Sequence, residues 1–287
     1  MSPRRAFLLA SGAAILSGQA RKPNMFGDAE AYERFMGRWS RLVAPPFAEF
    51  ANLPDNGSVL DVGSGTGSLA FAIAKRQADV RVFGIDPSNE YVEFANSRNA
   101  FGSRVNFRVG DAQKLEFPDA TFNGAASLLV FNFIPDAKKA LSELRRVMKP
   151  GSRVSAAVWD YGARMRMLRI FWDAAVSVDV NAEKLDEKRM PLCRLGELSQ
   201  LWKQGGLENV REEPIDITLR FTSFDDYWNP FLLGQGPAGS FVRSLDRDKR
   251  EALRGEVKRR LPISSEDEPF DLPARTWAVT GAVPGSA

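Results

Sequence analysis

The chain has 287 residues, of which 44% are hydrophobic and 26% charged, an ordinary globular composition with enough apolar material for one large core. It contains no histidine and one cysteine, Cys193. This excludes an internal disulfide, a His-ligated or multi-cysteine metal site, a Ser-His-Asp triad and a histidine general base. The formal net charge is +3, but residues 1–24 hold Arg4, Arg5, Arg21 and Lys22 and no acid, so without them it becomes −1. The basic balance is therefore no reason to expect a nucleic-acid partner.

Residues 1–24 have the order of an export signal: Arg4-Arg5, an apolar run from Ala6 to Leu16, then small residues through Ala20. Arg4-Arg5-Ala6-Phe7-Leu8 resembles a twin-arginine leader. An upstream extension ahead of a start at Met25 explains the same residues. On either reading they are excluded from the fold. The expected location is cytoplasmic, with export through this leader as the alternative. No apolar run approaches the roughly 20 residues needed to span a bilayer.

Residues 25–287 read as one domain, with residues 26–57 as an amino-terminal helical cap. Asp28 can cap a helix through about Val43, which Pro45-Pro46 should break, and a short helix follows over Phe47–Asn52. Strand and helix patterns then alternate. Strands are predicted at Ser58–Val62, Val80–Ile85, Val105–Val109, Ala125–Phe131 and Arg153–Trp159. Helices are predicted at Ser68–Arg76, Asn89–Asn99, Asp136–Met148 and Met165–Val178. The alternation predicts an α/β fold with a doubly wound, mostly parallel sheet. Leu195–Gln204 reads as a further helix, with strands near Val210–Ile217 and Thr276–Val283. Residues 219–272 between those strands form a lid-like insertion. It has an aromatic stretch from Phe221 to Phe231, a turn or mobile loop over Gly234–Gly239, and an amphipathic helix over Leu245–Leu261 with Leu245, Ala252, Leu253, Val257 and Leu261 on one face.

The first strand runs Val59-Leu60-Asp61-Val62 into Gly63-Ser64-Gly65-Thr66-Gly67. Glycines here let backbone approach a ligand closely and turn into the next helix. The loop misses the dinucleotide fingerprint, because Ser68 stands where G-x-G-x-x-G needs its last glycine. Asp61 at the strand's carboxyl end would repel a pyrophosphate and suits a cationic amine. Asp86 ends the second strand, where an acid can accept both ribose hydroxyls, and Asp111 follows the third strand, where a carboxylate can accept from an exocyclic amine. Acids at three successive strand ends lie along the edge where open α/β sheets bind ligands.

These residues resemble class I S-adenosylmethionine-dependent methyltransferases, in particular the small-molecule group related to the ubiquinone and menaquinone methyltransferases. The resemblance covers residues 58–159. It rests on Val59 to Gly67, on Gly84-Ile85-Asp86-Pro87-Ser88, on Gly110-Asp111-Ala112, on Leu115 to Asn123 and on Arg145-Arg146-Val147-Met148-Lys149-Pro150-Gly151. It implies a seven-stranded Rossmann-like sheet and S-adenosylmethionine as cofactor. Asp61, Gly63, Ser64, Gly65 and Gly67 would hold the methionine part, Asp86 the ribose, and Asp111 with Ala112 the adenine edge, with Pro87 and Phe131 also among the cofactor-binding residues. Tyr32 and Met36 of the cap would close over it. The implied activity is in-line methyl transfer to a small, apolar or aromatic acceptor, the alternative being a non-catalytic cofactor- or lipid-binding module. Relatives often carry His after the fourth strand, where this chain has Phe131-Asn132-Phe133. Substrate-pocket candidates are Asn132, Phe133, Tyr227, Trp228 and Phe231. Nothing in the sequence chooses a base among Asp160, Asp225, Asp226 and Tyr227. No metal is expected, and Cys193 reads as a small buried side chain.

Overall fold

The computed structural model describes residues 28–285. The leader-like residues 1–24 lie outside them. The chain enters through α1 (Ala29–Tyr32), capped by the Asp28 carboxylate, which accepts from the Ala31 N–H at 2.9 Å. A π-helical turn, Glu33–Gly37, joins it to α2 (Arg38–Ala51). Helix α2 runs through Pro45 and Pro46 instead of breaking there. The prolines remove N–H donors from the carbonyls of Arg41 and Leu42. Both of those residues sit on the exposed face, where water can satisfy the freed oxygens.

The sheet follows: β1 (Asn56–Val62), α3 (Ser68–Arg76), β2 (Asp79–Asp86), α4 (Asn89–Ser97), β3 (Val105–Val109), β4 (Phe122–Leu128), α5 (Ala137–Val147) and β5 (Met148–Trp159). Helix α6 (Arg166–Val178), two short 3-10 turns and α7 (Glu197–Gln204) lead to β6 (Glu208–Phe221). Three helices, α8 (Phe224–Leu232), α9 (Gly236–Ser244) and α10 (Arg247–Arg260), precede β7 (Phe270–Ala282). The seven strands lie in the order β3-β2-β1-β4-β5-β7-β6. Strands β1 to β5 are mutually parallel, while β7 runs antiparallel to both β5 and β6. This is the doubly wound sheet expected from the alternation. Its central strands are covered on both faces, so β4 is buried almost throughout.

Several boundaries differ from the periodic pattern for physical reasons. The β4 strand is shifted towards the amino terminus and ends at Leu128. The next residue, Leu129, has φ of 65°, and Phe131–Phe133 form a 3-10 turn. The apolar run from Ala125 to Phe131 therefore spans a strand and the turn after it. Strands β6 and β7 are longer than expected, pairing from Glu208↔Ala282 to Phe221↔Phe270, so residues 219–221 and 270–272 are hairpin and not insertion. Pro214 is tolerated because β6 is an edge strand, and Pro273 because β7 there extends past its β5 pairing, which stops at Thr276. Gly236-Pro237 opens helix α9, with Pro in its first turn, where a loop was expected. In α10, Leu253 and Val257 are buried but Ala252 is exposed. Leu245 and Leu261 are buried just outside the helix. No helix among the described residues is long and apolar enough to cross a membrane.

Candidate functional site

A cavity of about 320 Å³ opens at the carboxyl end of β1, β2, β4 and β5. The glycine-rich turn forms its floor. Gly63 and Gly65 have φ of 70° and 51°, a region costly for any residue with a side chain. A Cβ on Gly65 would meet no protein atom within 4 Å, so this backbone faces free space. The Asp86 carboxylate fixes the turn. Its Oδ2 accepts from the Gly65 N–H and its Oδ1 from the Ser88 N–H, each at 2.9 Å.

Asp61 lies beneath this turn with no exposed surface, and neither carboxylate oxygen has a hydrogen-bonding partner among the described residues. The Ala70 N–H lies near it outside hydrogen-bonding geometry. Burial without a cation pushes the Asp61 carboxyl up to about 8. Burial also raises Asp86, against the two N–H groups that favour its charged form. The Ser64 hydroxyl is likewise buried without a partner.

Among the described residues the ionisable ones lining the cavity are Asp61, Asp86, Glu187, Tyr32, Tyr91 and Tyr161, with no lysine or arginine. An unpaired buried carboxylate costs several kcal/mol unless something cationic meets it, by an order-of-magnitude estimate. This donor set, with a bare glycine turn beside it, fits a ligand that carries an amine and hydroxyl groups.

The cap closes one side. Tyr32, Phe35, Met36 and Ser40 line the cavity. The Tyr32 and Tyr91 rings lie 5.2 Å apart, and the Tyr32 and Ser40 hydroxyl oxygens 3.0 Å apart. Burial lifts the Tyr32 phenol to about 12. Glu33 ties the cap to the floor: it accepts from the Thr66 hydroxyl at 2.5 Å and pairs with Arg41 and Arg98. The insertion closes another side with Gln235, Gly236 and Pro237, and the Tyr91 hydroxyl reaches the Gln235 amide oxygen at 3.4 Å.

The residues singled out in the sequence fall into three groups. Asp61, Gly63, Ser64, Gly65, Asp86, Pro87, Tyr32, Met36 and Phe133 line the cavity. Asp111 lies in an adjoining groove that shares Pro87, and its carboxylate accepts from the Gln113 N–H at 2.8 Å. Ala112, next to it, is half-buried, and Gly67 turns the chain into α3 with φ of 92°. The others lie in the core. Phe131 is fully buried with its ring 5.0 Å from Trp202. Tyr227 donates to the Met167 carbonyl at 2.7 Å. Phe231 stacks on Phe171 at 4.5 Å, and Trp228 packs beside Phe231. The insertion's aromatics anchor it to α6 and the sheet, and its glycine-proline turn reaches the cavity instead. Asn132 is buried with both amide atoms unpartnered and does not line the cavity.

None of the four acids and phenols considered as a base lines the cavity. Asp226 pairs with Arg38 at 2.7 Å, Asp225 with Arg254 at 3.3 Å, and Asp160 accepts from the Ala163 N–H. Glu187 does line it and went unnoticed in the sequence, as did Tyr161 and Gln235. Glu187 sits in a short 3-10 turn with no periodicity and no motif around it. Cys193 is buried, and burial raises its thiol.

Residues 59–151 match the family model described as a methyltransferase domain. The chain is 40% identical over 102 residues to the O-methyltransferase rstn1 of Aspergillus nomiae, covering 34% of this chain and 45% of that protein. It is 35% identical over 103 residues to the ubiquinone/menaquinone biosynthesis C-methyltransferase UbiE of Geotalea daltonii, covering 34% and 44%. The chain thus spans less than half the length of these curated relatives. The fold is shared with phosphoethanolamine N-methyltransferase 2 of Haemonchus contortus, solved with S-adenosyl-L-methionine, at a TM-score of 0.54 and 19% identity over 90% of this chain and 57% of that one.

Proposed function

We propose, from the match of residues 59–151 to the methyltransferase domain, that this chain transfers a methyl group from S-adenosylmethionine to a small, apolar or aromatic molecule. The observation that carries the reading is Asp61: a fully buried carboxylate, unpartnered, under a glycine turn that faces free space. Its natural complement is the cofactor's α-amino group. Asp86 would take the ribose hydroxyls on lone pairs left after the Gly65 and Ser88 amides, and Pro87 leads to the Asp111–Ala112 groove for the adenine edge. Tyr32 and Met36 would cover the ligand.

The bound cofactor supplies a methyl group already activated by its sulfonium. The protein's work is then alignment and exclusion of water, and alignment alone can remove roughly 7–11 kcal/mol of barrier. Leu128, Leu129, Phe133, Trp159 and Leu168 give the cavity an apolar wall, which supports an apolar acceptor. A nucleic-acid acceptor has little support. The basic end of α10, Lys258-Arg259-Arg260, is matched by Glu256 and Glu266.

Titration calorimetry with S-adenosylhomocysteine tests the reading. Saturable binding that weakens in Asp86→Ala by roughly 1 kcal/mol or more is expected, the scale of a lost charged hydrogen bond. Absence of binding sinks the reading. Binding without transfer to any extracted metabolite would favour a non-catalytic module.

A further inference from the structure

The three carboxyl groups of the cavity differ in origin. Asp61 and Asp86 end β1 and β2, on the floor. Glu187 comes from the segment between α6 and α7, outside the family match, and is 4% exposed. Its Oε2 accepts from the Trp172 indole N–H at 2.8 Å, while its Oε1 takes no hydrogen bond from the described residues. The turn that carries Glu187 is itself held rigidly. Asp186, immediately before it, caps the turn through the Lys188 N–H and forms a buried ion pair with Arg169 of α6. Arg169 is thereby committed to Asp186, and Glu187 is left as an acid facing an apolar wall of Trp159, Tyr161 and Leu168.

A purely structural role explains this poorly. Accepting one indole N–H needs only a neutral amide oxygen. A buried carboxyl held by one neutral donor is a standing cost to the fold. Nearby, Tyr161 is buried at the cavity wall and feels the Glu187 charge, and Asn132 lies close to it with both amide atoms outside hydrogen-bonding geometry. The cavity wall away from the glycine turn thus gathers an acid and a phenol in apolar surroundings, with the buried Asn132 amide behind the phenol.

We propose that Glu187 is the catalytic base of the acceptor site and that the acceptor is an aromatic molecule bearing a hydroxyl group. This rests on the methyltransferase reading above. The acceptor's O–H donates to Glu187 Oε1. As the oxygen's electron pair forms the new bond to the methyl carbon, the carbon–sulfur bond breaks and its pair stays on sulfur, giving S-adenosylhomocysteine. The hydroxyl proton passes to Glu187. The groups that set its ionisation are known from every side: burial raises the carboxyl to about 7, the Trp172 N–H and Arg169 oppose this, and Asp186 adds to it. Tyr161 and Cys193 also face it and stay protonated at neutral pH. A base that changes charge near neutrality is suited to taking a phenol's proton and releasing it afterwards.

The test uses the whole chain, with naphthol as acceptor probe and its methyl ether as a probe lacking the proton. Glu187→Gln keeps an oxygen for Trp172, and Glu187→Asp keeps the acid. S-adenosylhomocysteine should bind the parent and both variants equally. Methylation of naphthol should fall on the order of 100-fold or more in Glu187→Gln and be partly retained in Glu187→Asp. For the parent, kcat/KM should rise with pH through about 7, and this limb should vanish in Glu187→Gln. Binding of the methyl ether should be unaffected. A Glu187→Gln protein that methylates naphthol as fast as the parent overturns the assignment. So does a parent that binds S-adenosylhomocysteine but does not methylate naphthol. A parent that fails to bind S-adenosylhomocysteine overturns the methyltransferase reading itself.

Discussion

The two halves of the chain build one cavity by different means. Residues 59–151 contribute it through three strand ends: Asp61 and the glycine turn at β1, Asp86 at β2, and Leu128, Leu129, Val130 and Phe133 at and just after β4. Each residue sits where the parallel sheet must present it, so spacing along the chain predicts position in space. Besides Trp159 at the end of β5, residues 152–285 contribute Tyr161, Leu168, Glu187 and Gln235–Pro237 from four separate segments, each positioned by packing and not by a repeating pattern. The first half thus carries a site for a common ligand in a local code. The second shapes the rest of the wall without such a code. Energetically they also diverge: the floor holds an unpaired buried acid, whereas the insertion is held by stacked and edge-on aromatics.

This contrast can be broken or sharpened by substitution, and the largest effect is expected in the aromatic anchor. Phe231→Ala removes a fully buried ring that meets Phe35, Phe171 and Tyr227. Urea unfolding should show a loss of roughly 3–5 kcal/mol, the usual cost of emptying such a site. A change under about 1 kcal/mol would mean that the insertion's aromatics are not its anchor.

On the floor, Asp61→Asn should act in opposite senses on binding and stability. The carboxyl's ordinary value is 3.8 and burial raises it to about 8 in the folded protein. The folded state therefore holds the proton more tightly, and the stability from this group is full below about pH 4 and lost as pH rises through about 8. Asn has no charge to bury, so the ligand-free variant should melt higher than the parent above neutrality. Its affinity for S-adenosylhomocysteine should fall by on the order of 2 kcal/mol or more, because the ammonium loses its counter-charge. Thermal melts at acid and alkaline pH, paired with calorimetry, check both.

Gly65→Ala comes next. The added Cβ meets no protein atom, yet the backbone has φ of 51°, so strain of roughly 1–2 kcal/mol is expected in the melt. If a ligand fills that space, affinity should fall beyond what the loss of stability explains. The smallest effect should come from the cap. Glu33→Gln loosens the Thr66, Arg41 and Arg98 contacts that tie cap to floor, at roughly 1 kcal/mol. It should be read as faster release of bound S-adenosylhomocysteine in stopped flow with little change in melting temperature.

The same contrast governs which parts of the fold the sequence makes legible. The strand–helix alternation predicted β1 to β5 and their crossover helices to within a few residues, because two-faced burial imposes apolar runs and glycine punctuates the turns. It failed where another constraint took over. Pro45-Pro46 predicts a break in α2, and the helix continues because their solvent-facing placement is a tertiary fact. The run from Ala125 to Phe131 hid a left-handed residue at Leu129. Tyr227, Trp228 and Phe231 were expected over the ligand because aromatic density marks apolar surroundings without saying whether they are core or cavity. Glu187 was invisible: one acid in an aperiodic turn acquires its character from Trp172, the Arg169–Asp186 pair and Tyr161, all brought to it by folding.

The most direct test of the central claim is the pH dependence of S-adenosylhomocysteine binding to the parent protein and to Asp61→Asn. The account predicts saturable binding that tightens from about pH 6 to about pH 8 as Asp61 becomes easier to ionise against the ligand's ammonium, with proton release on binding, and loss of both the affinity and its pH slope in the variant. Absence of saturable binding to the parent, or equal binding with equal slope in Asp61→Asn, would contradict it.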